Sequence, residues 1–212
     1  MFLLVTGASG VGKSTVRAAV ADALNDRVEA VELWHVVPIP QQPDVEWRNR
    51  AVEAVVRRAL ELQEQGRHLM LSGDPVPPGE LFAAPSADKL DGVAVCLLDC
   101  APREQTARLA ARGDDPAALA HHIAFAEWLR EHVRDPRHRP EVITALGWDA
   151  MRWHRWTSLQ AGDPRWRFTV VDTTGMAQSE AAAAVLDWAR GALNSPAVPV
   201  VPAARGGGDG RP

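Results

Sequence analysis

Nine residues near the start of the chain, Gly7-Ala8-Ser9-Gly10-Val11-Gly12-Lys13-Ser14-Thr15, have the types and spacing to hold a string of phosphates. From Gly7 to Ser14 they read G-x-x-x-x-G-K-S, the pattern of a phosphate-binding loop. Glycines let the backbone turn so tightly that successive N–H groups converge on anionic oxygens. A helix starting there adds unpaired N–H donors and the positive end of its dipole. Lys13 is long enough to reach the β- and γ-phosphates, and the Ser14 hydroxyl is a ligand for Mg2+. The apolar run Phe2 to Val5 precedes the loop, and Val16, Ala19, Val20 and Ala23 share one helical face after it. Strand, loop and helix thus arrive in the required order. The chain is expected to bind a nucleoside triphosphate through Gly7, Ser9, Gly10, Val11, Gly12, Lys13, Ser14 and Thr15.

Other residues can do chemistry if the fold brings them to that loop. Asp74 follows a short apolar run, where an acid can hold Mg2+ together with Ser14; as an Asp before Pro75 it also suits a plain turn. Glu32 and His35 close a second apolar run and can accept a proton from a substrate hydroxyl, though charged residues there are often only solvated. Arg108 and Arg112, one helical turn apart, can grip phosphate oxygens and stabilise the transferring group; an exposed basic face is the ordinary alternative. Arg134, Arg137 and His138 lie among Trp128, Trp148, Trp153, Trp156 and Trp166. This region reads as a lid of cationic clamps and flat walls, as a nucleic-acid face, or simply as a helical core.

The positioning elements follow from periodicity and breakers. Strands are expected at Phe2–Thr6, Val28–Val37, His68–Ser72, Val93–Leu98 and Arg167–Val171. Asp44 caps a helix from Val45 to Gln65, Pro102 opens one that ends at Gly113, and an alanine-rich helix ends near Leu193. The stretch through Pro78 and Gly79 reads as a loop. Residues 113–165 carry helices without strands: one from Asp115-Pro116 to about Val133, one from Pro140 to Gly147, and one capped by Asp149. The expectation is an α/β fold, a five-stranded parallel sheet between two helical layers with an inserted helical lid, spanning residues 1–194. The Pro- and Gly-rich residues 195–212 are expected to be disordered.

The phosphate loop, Arg108-Leu109-Ala110-Ala111-Arg112-Gly113 and Val171-Asp172-Thr173-Thr174 together resemble the P-loop small-molecule and nucleotide kinases. That group includes adenylate, shikimate and gluconate kinases and chloramphenicol phosphotransferase. The resemblance implies a three-layer P-loop NTPase fold, ATP and Mg2+ as cofactors, and a lid opening after Arg112. It also implies Arg108 and Arg112 near the phosphates and a purine-contacting loop at Thr173 and Thr174. Ser72-Gly73-Asp74-Pro75 lacks the arginine of the adenylate kinase acceptor segment, which argues against a nucleoside monophosphate as acceptor. No Asn-Lys-x-Asp guanine signature is present, so ATP is favoured over GTP. The function expected is a kinase acting on a hydroxyl of a small metabolite. The alternatives are a nucleotide kinase with an atypical acceptor loop and an ATP-binding regulatory module.

Bulk properties narrow the partners. With 212 residues, 46% hydrophobic, and a net charge of −4, the chain is an ordinary globular protein with no general attraction for nucleic acid. Cys96 and Cys100 make neither a disulfide framework nor a zinc site. With no membrane-length apolar run, a cytoplasmic location is expected, and a homodimer stays open.

Overall fold

The computed structural model describes residues 1–195. The five strands are β1 (Phe2–Thr6), β2 (Val28–Val31), β3 (His68–Ser72), β4 (Val93–Asp99) and β5 (Thr169–Asp172). They form one sheet in the order β2-β3-β1-β4-β5, and every pairing is parallel. Central β1 is buried along its whole length, as a strand covered on both faces must be. Its side chains alternate between two cores. Leu3 and Val5 meet α1 (Lys13–Ala23) and the last helix, α9 (Gln178–Asn194), through Val16, Val20, Ala181, Val185 and Ala189. Phe2 and Leu4 point the other way.

That other face is covered by α3 (Val45–Glu64), α4 (Pro78–Ala83) and the back half of α6 (Pro116–Arg134). The four-residue α2 (Leu33–Val36) precedes α3, and α5 (Pro102–Arg112) stands between α4 and α6. Asp44 caps α3 by accepting from Trp47 N at 2.7 Å, and Gly113 (φ 83°) ends α5, both as the sequence implies. The strands therefore deliver five chain ends to one edge, where ligands of such sheets sit.

Three expectations need correction. The run Val28–Val37 is strand only to Val31; Glu32 then caps α2, whose Leu33 turns inward and is buried. A short apolar run does not by itself distinguish strand from buried helix, and here tertiary burial decided. The Pro78–Gly79 stretch is not a loop. Pro78 occupies the first turn of α4, where its missing N–H costs nothing, and all of α4 is buried. Asp149 caps nothing: the short helices of this region are α7 (Glu141–Thr144) and α8 (His154–Thr157), the latter preceded by Trp153.

The insertion expected over 113–165 divides in two. None of residues 113–125 is buried. From Ala126 onward the chain is part of the main body: Trp128, Leu129, Val133, Ile143, Met151, Trp156, Leu159 and Trp166 share one core with Phe2 and Leu4. Arg152 N donates to Ala83 O at 2.7 Å, and Arg155 donates to Ala84 O at 2.6 Å, which ties the segment to α4. Two bonds from Arg130 to Asp99 (2.6 and 2.9 Å) tie α6 to the end of β4. Of the expected insertion, only residues 113–125, which include the first half of α6, add no buried residue to the core. The expectation of a disordered tail falls, apart from Ser195, on residues 196–212, outside those described. Among the described residues no helix is long and apolar enough to cross a membrane.

Candidate functional site

The phosphate loop takes its shape from backbone that side chains would obstruct. Gly7 has φ 151°, and a Cβ there would lie 2.4 Å from Leu98 O, so only glycine lets the loop leave β1 against β4. Gly12, left-handed, precedes α1, whose first turn carries no acidic residue to compete for its N–H groups. Lys13 is buried, with Nζ donating to Ala8 O at 2.8 Å. Burial lowers its ammonium to about 8; Arg112 adds to the fall, while Asp74 and Glu32 oppose it. The Lys13 carbonyl accepts from Ser72 Oγ at 3.1 Å, which links the loop to the end of β3. Ser14 and Thr15 are exposed towards the cavity.

That cavity, about 670 Å3, runs from the phosphate loop along α5 to the start of α9. Helix α5 has two working faces. Gln105 and Leu109 are buried against the loop: Gln105 Nε2 donates to Ser9 O at 2.8 Å, and Leu109 packs on Gly10. Glu104, Arg108 and Arg112 line the cavity. Arg108 is committed to its far wall, donating to Thr173 Oγ1 at 3.0 Å and Thr173 O at 2.7 Å while pairing with Glu104. Glu104 in turn accepts from Gly175 N at 2.8 Å. Arg112 instead forms a two-bond pair with Asp114 at 2.6 and 2.5 Å, its side chain more than half exposed at the near end.

The loop after β5 has its N–H groups spoken for. Those of Thr173, Thr174, Gly175, Met176 and Ala177 donate to Asp99 O, Asp172 Oδ1, Glu104 Oε2, Thr173 O and Glu180 Oε2. Thr173 is buried at the cavity wall; the Thr174 hydroxyl, accepting from Ala101 N at 2.8 Å, is not part of that lining.

Beyond Gly73 lie the two carboxylates. A Cβ on Gly73 (φ 105°) would be 2.4 Å from Glu32 Cδ, so glycine is what lets Glu32 pack across the end of β3. Glu32 accepts from Arg17 Nε at 3.0 Å and from Trp34 Nε1 at 2.8 Å. Burial works to raise its carboxyl, but the Trp34 and Arg17 hydrogen bonds, the Arg17 charge and the Ser14 hydroxyl together hold it below the usual range. Asp74 Oδ2 accepts from Leu33 N at 2.6 Å. Burial pushes its carboxyl up and the Glu32 charge adds to the rise, against the Leu33 N–H and the Lys13 charge. His35 Nδ1 accepts from Glu32 N at 3.0 Å and so closes the turn.

Of the expected site residues, the structure brings Ser9, Gly10, Val11, Gly12, Lys13, Ser14, Thr15, Arg108, Arg112 and Thr173 to one cavity, with Glu32 and Asp74 at its Gly73 end. Arg134, Arg137 and His138 do not line it; Arg134 pairs with Glu131 on the surface. Gln105, Glu104 and Arg17 went unnoticed in the sequence. A glutamine on the apolar stripe of α5 is the visible signal for the first; the other two show no local signal.

No protein-family model and no curated protein matches the sequence. Among solved structures it is similar to an unliganded sugar kinase from a Janibacter strain, with TM-score 0.55, 15% identity, and 89% of this chain covering 94% of that one. A gluconokinase from Sinorhizobium meliloti aligns with TM-score 0.55 and 20% identity over 91% of this chain and 93% of its own. APS kinase from Mycobacterium tuberculosis, in complex with AMPPNP and APS, aligns with TM-score 0.51 and 18% identity over 89% and 96%. The chain shares the fold of these three kinases. The similarity extends over about nine-tenths of this chain and more than nine-tenths of each of those three.

Proposed function

We propose that the protein is a Mg2+- and ATP-dependent kinase that transfers the γ-phosphate to a hydroxyl of a small molecule. The observation that carries this reading is the convergence, at one end of the cavity, of Lys13, Ser14 and Arg112 with the carboxylates of Glu32 and Asp74. The loop amides and the α1 N-terminus hold the triphosphate, and an anion beside Lys13 restores the charge that burial weakens. Arg112 exchanges its exposed pair with Asp114 for phosphate oxygens, at little cost because a solvated ion pair is worth little. Arg108 is proposed to fix the wall of the nucleoside end rather than to cover the phosphates, since its donors already serve Thr173 and Glu104.

The donor census supports ATP over GTP. With its N–H groups consumed, the loop from Thr173 to Ala177 offers carbonyl oxygens to a base edge, which suits the 6-amino group of adenine and leaves the 6-keto oxygen of guanine without a donor.

The oxygens of Ser14 and Glu32 fit Mg2+, a hard cation that takes oxygen ligands and bound waters. When bound, the ion neutralises charge on the β- and γ-phosphates. Asp74 was expected beside Ser14 at the metal, but its geometry suits proton removal better. Its Oδ1 accepts no hydrogen bond among the described residues, whereas both Glu32 oxygens carry donors. His35 is unsuited as base, because its Nδ1 lone pair is used by Glu32 N and the other nitrogen then carries the proton.

Acceptor-dependent ADP release from MgATP, with the phosphorylated product seen by mass, tests the function. ATP hydrolysis at one slow rate whatever hydroxyl compound is added would replace it with a nucleotide-controlled switch. Asp74→Asn should lower turnover about 10^2- to 10^4-fold with ATP affinity unchanged. Because the base must be ionised, wild-type kcat should fall as pH drops through the raised Asp74 pKa, and this limb should vanish in the variant.

A further inference from the structure

Resting on the kinase reading, we infer that the acceptor is neutral or positively charged at the end that enters the site, and that compounds bearing a carboxylate or phosphate there are excluded. The face beyond Gly73 presents two carboxylates, Glu32 and Asp74, to whatever approaches the γ-phosphate. The cations around it are committed. Arg17 is held by Glu32 at 3.0 Å. Arg48, at the start of α3, makes three bonds of 2.5 to 3.0 Å to Glu80, a carboxylate with no exposed surface. Diverting Arg48 to a substrate anion would strand a buried charge, the costliest kind of broken ion pair. Lys13 and Arg112 face the phosphates of the nucleotide.

Glu32 is balanced by Arg17 but Asp74 has no ion-pair partner among the described residues, so an anionic acceptor would meet that negative charge with no spare counter-charge, in addition to the triphosphate it must approach. The same face suits the opposite chemistry. Trp34 is 53% exposed, with its indole N–H on Glu32 and its ring centroid 3.9 Å from that of His35. Ile39 is 54% exposed on the segment that follows. A half-exposed indole next to a carboxylate binds ammonium groups by cation–π and charge attraction, and stacks on flat or apolar parts of neutral hydroxyl compounds. Glu32 is thus placed to select the acceptor as well as to order Ser14.

The full chain saturated with Mg-AMPPNP, with saturation confirmed by thermal shift, is mixed with size-matched hydroxyl compounds in three sets: neutral, amine-bearing and carboxylate- or phosphate-bearing. Binding is read by ligand-observed NMR. Binders should fall in the neutral and amine sets, and the amine binders should weaken about tenfold or more in Glu32→Gln. Binders concentrated in the anionic set, binders spread evenly over the sets, or none in any set while AMPPNP remains bound would each overturn the inference. Failure to bind AMPPNP would instead remove the kinase reading. A second measurement needs no acceptor: quenching of the emission that Trp34→Phe removes. Relative to a free indole amide at constant ionic strength, caesium should quench it more than iodide does; the reverse order overturns the inference.

Discussion

The phosphate loop and the tryptophan-rich insertion look alike in the sequence, as two clusters of residues able to do chemistry, and the structure gives them opposite fates. The loop keeps Ser14 and Thr15 exposed to a cavity and uses glycines so that backbone can reach a ligand. The insertion turns its aromatic rings inward. Trp128 stacks on His132, Trp156 and Trp166 approach the same imidazole edge-on at 5.2 Å, and Trp156 has no exposed surface. The difference teaches that a motif fixed by backbone geometry carries its function locally, whereas a cluster defined by composition acquires a role only from what packs against it.

Breaking the first region should cost activity alone. Lys13→Ala is expected to reduce nucleotide-dependent turnover by at least about 10^2- to 10^3-fold, with the melting temperature close to wild type. Steady-state kinetics beside calorimetry reads both; a variant that turns over normally would remove the loop from the chemistry.

Breaking the second should cost stability alone. Trp156→Ala is expected to destabilise by about 3–5 kcal/mol, because Gly79 and the aromatic neighbours cannot close over the cavity. Denaturant unfolding measures this, and the folded fraction should bind ATP as the wild type does. Altered ATP affinity at full folding would show that the aromatics belong to the site.

The same core should make the protein acid-sensitive. His132 is fully buried with neither ring nitrogen hydrogen-bonded, and burial lowers its pKa to about 3. The unfolded chain, with an ordinary imidazole near 6.5, binds the proton first, so stability is complete above that pH and declines as pH falls towards 3. The loss should be on the order of a few kcal/mol, and His132→Phe should flatten this part of the pH–stability curve. An unchanged slope would mean that the imidazole is protonated or solvated in the folded state.

The smallest effect belongs to the surface of the insertion. Arg137→Ala should leave kcat/KM within about twofold and stability within about 0.5 kcal/mol, since the side chain is exposed and does not line the cavity. A large rise in KM would restore the lid role that the sequence suggested for Arg134, Arg137 and His138.

The strands, the phosphate loop, and helices α3 and α5 were legible because each rests on a local rule: continuous apolar runs, glycine spacing, Asp44 at a cap, Pro102 and Gly113 at helix ends. The second run misled because Leu33 is buried as helix or as strand alike, and the acceptor for its N–H at the start of α2 comes from Asp74, forty-one residues on. Pro78 and Gly79 looked like breakers, yet Gly79 is where Trp156 needs contact with bare backbone: a Cβ would meet its ring at 2.8 Å.

By itself, then, the sequence determined the parallel sheet and the place where a triphosphate is expected, since both depend on spacing within a few residues. The tertiary structure decided which charges remain available. Arg17, Arg48, Arg108 and Arg130 all sit on helices, and each is bound by a carboxylate from another element or by another loop. The physical reason is that a charge is worth using only where it is unpaired, and pairing over distances of a few ångströms is set by packing between elements that the order of residues does not reveal.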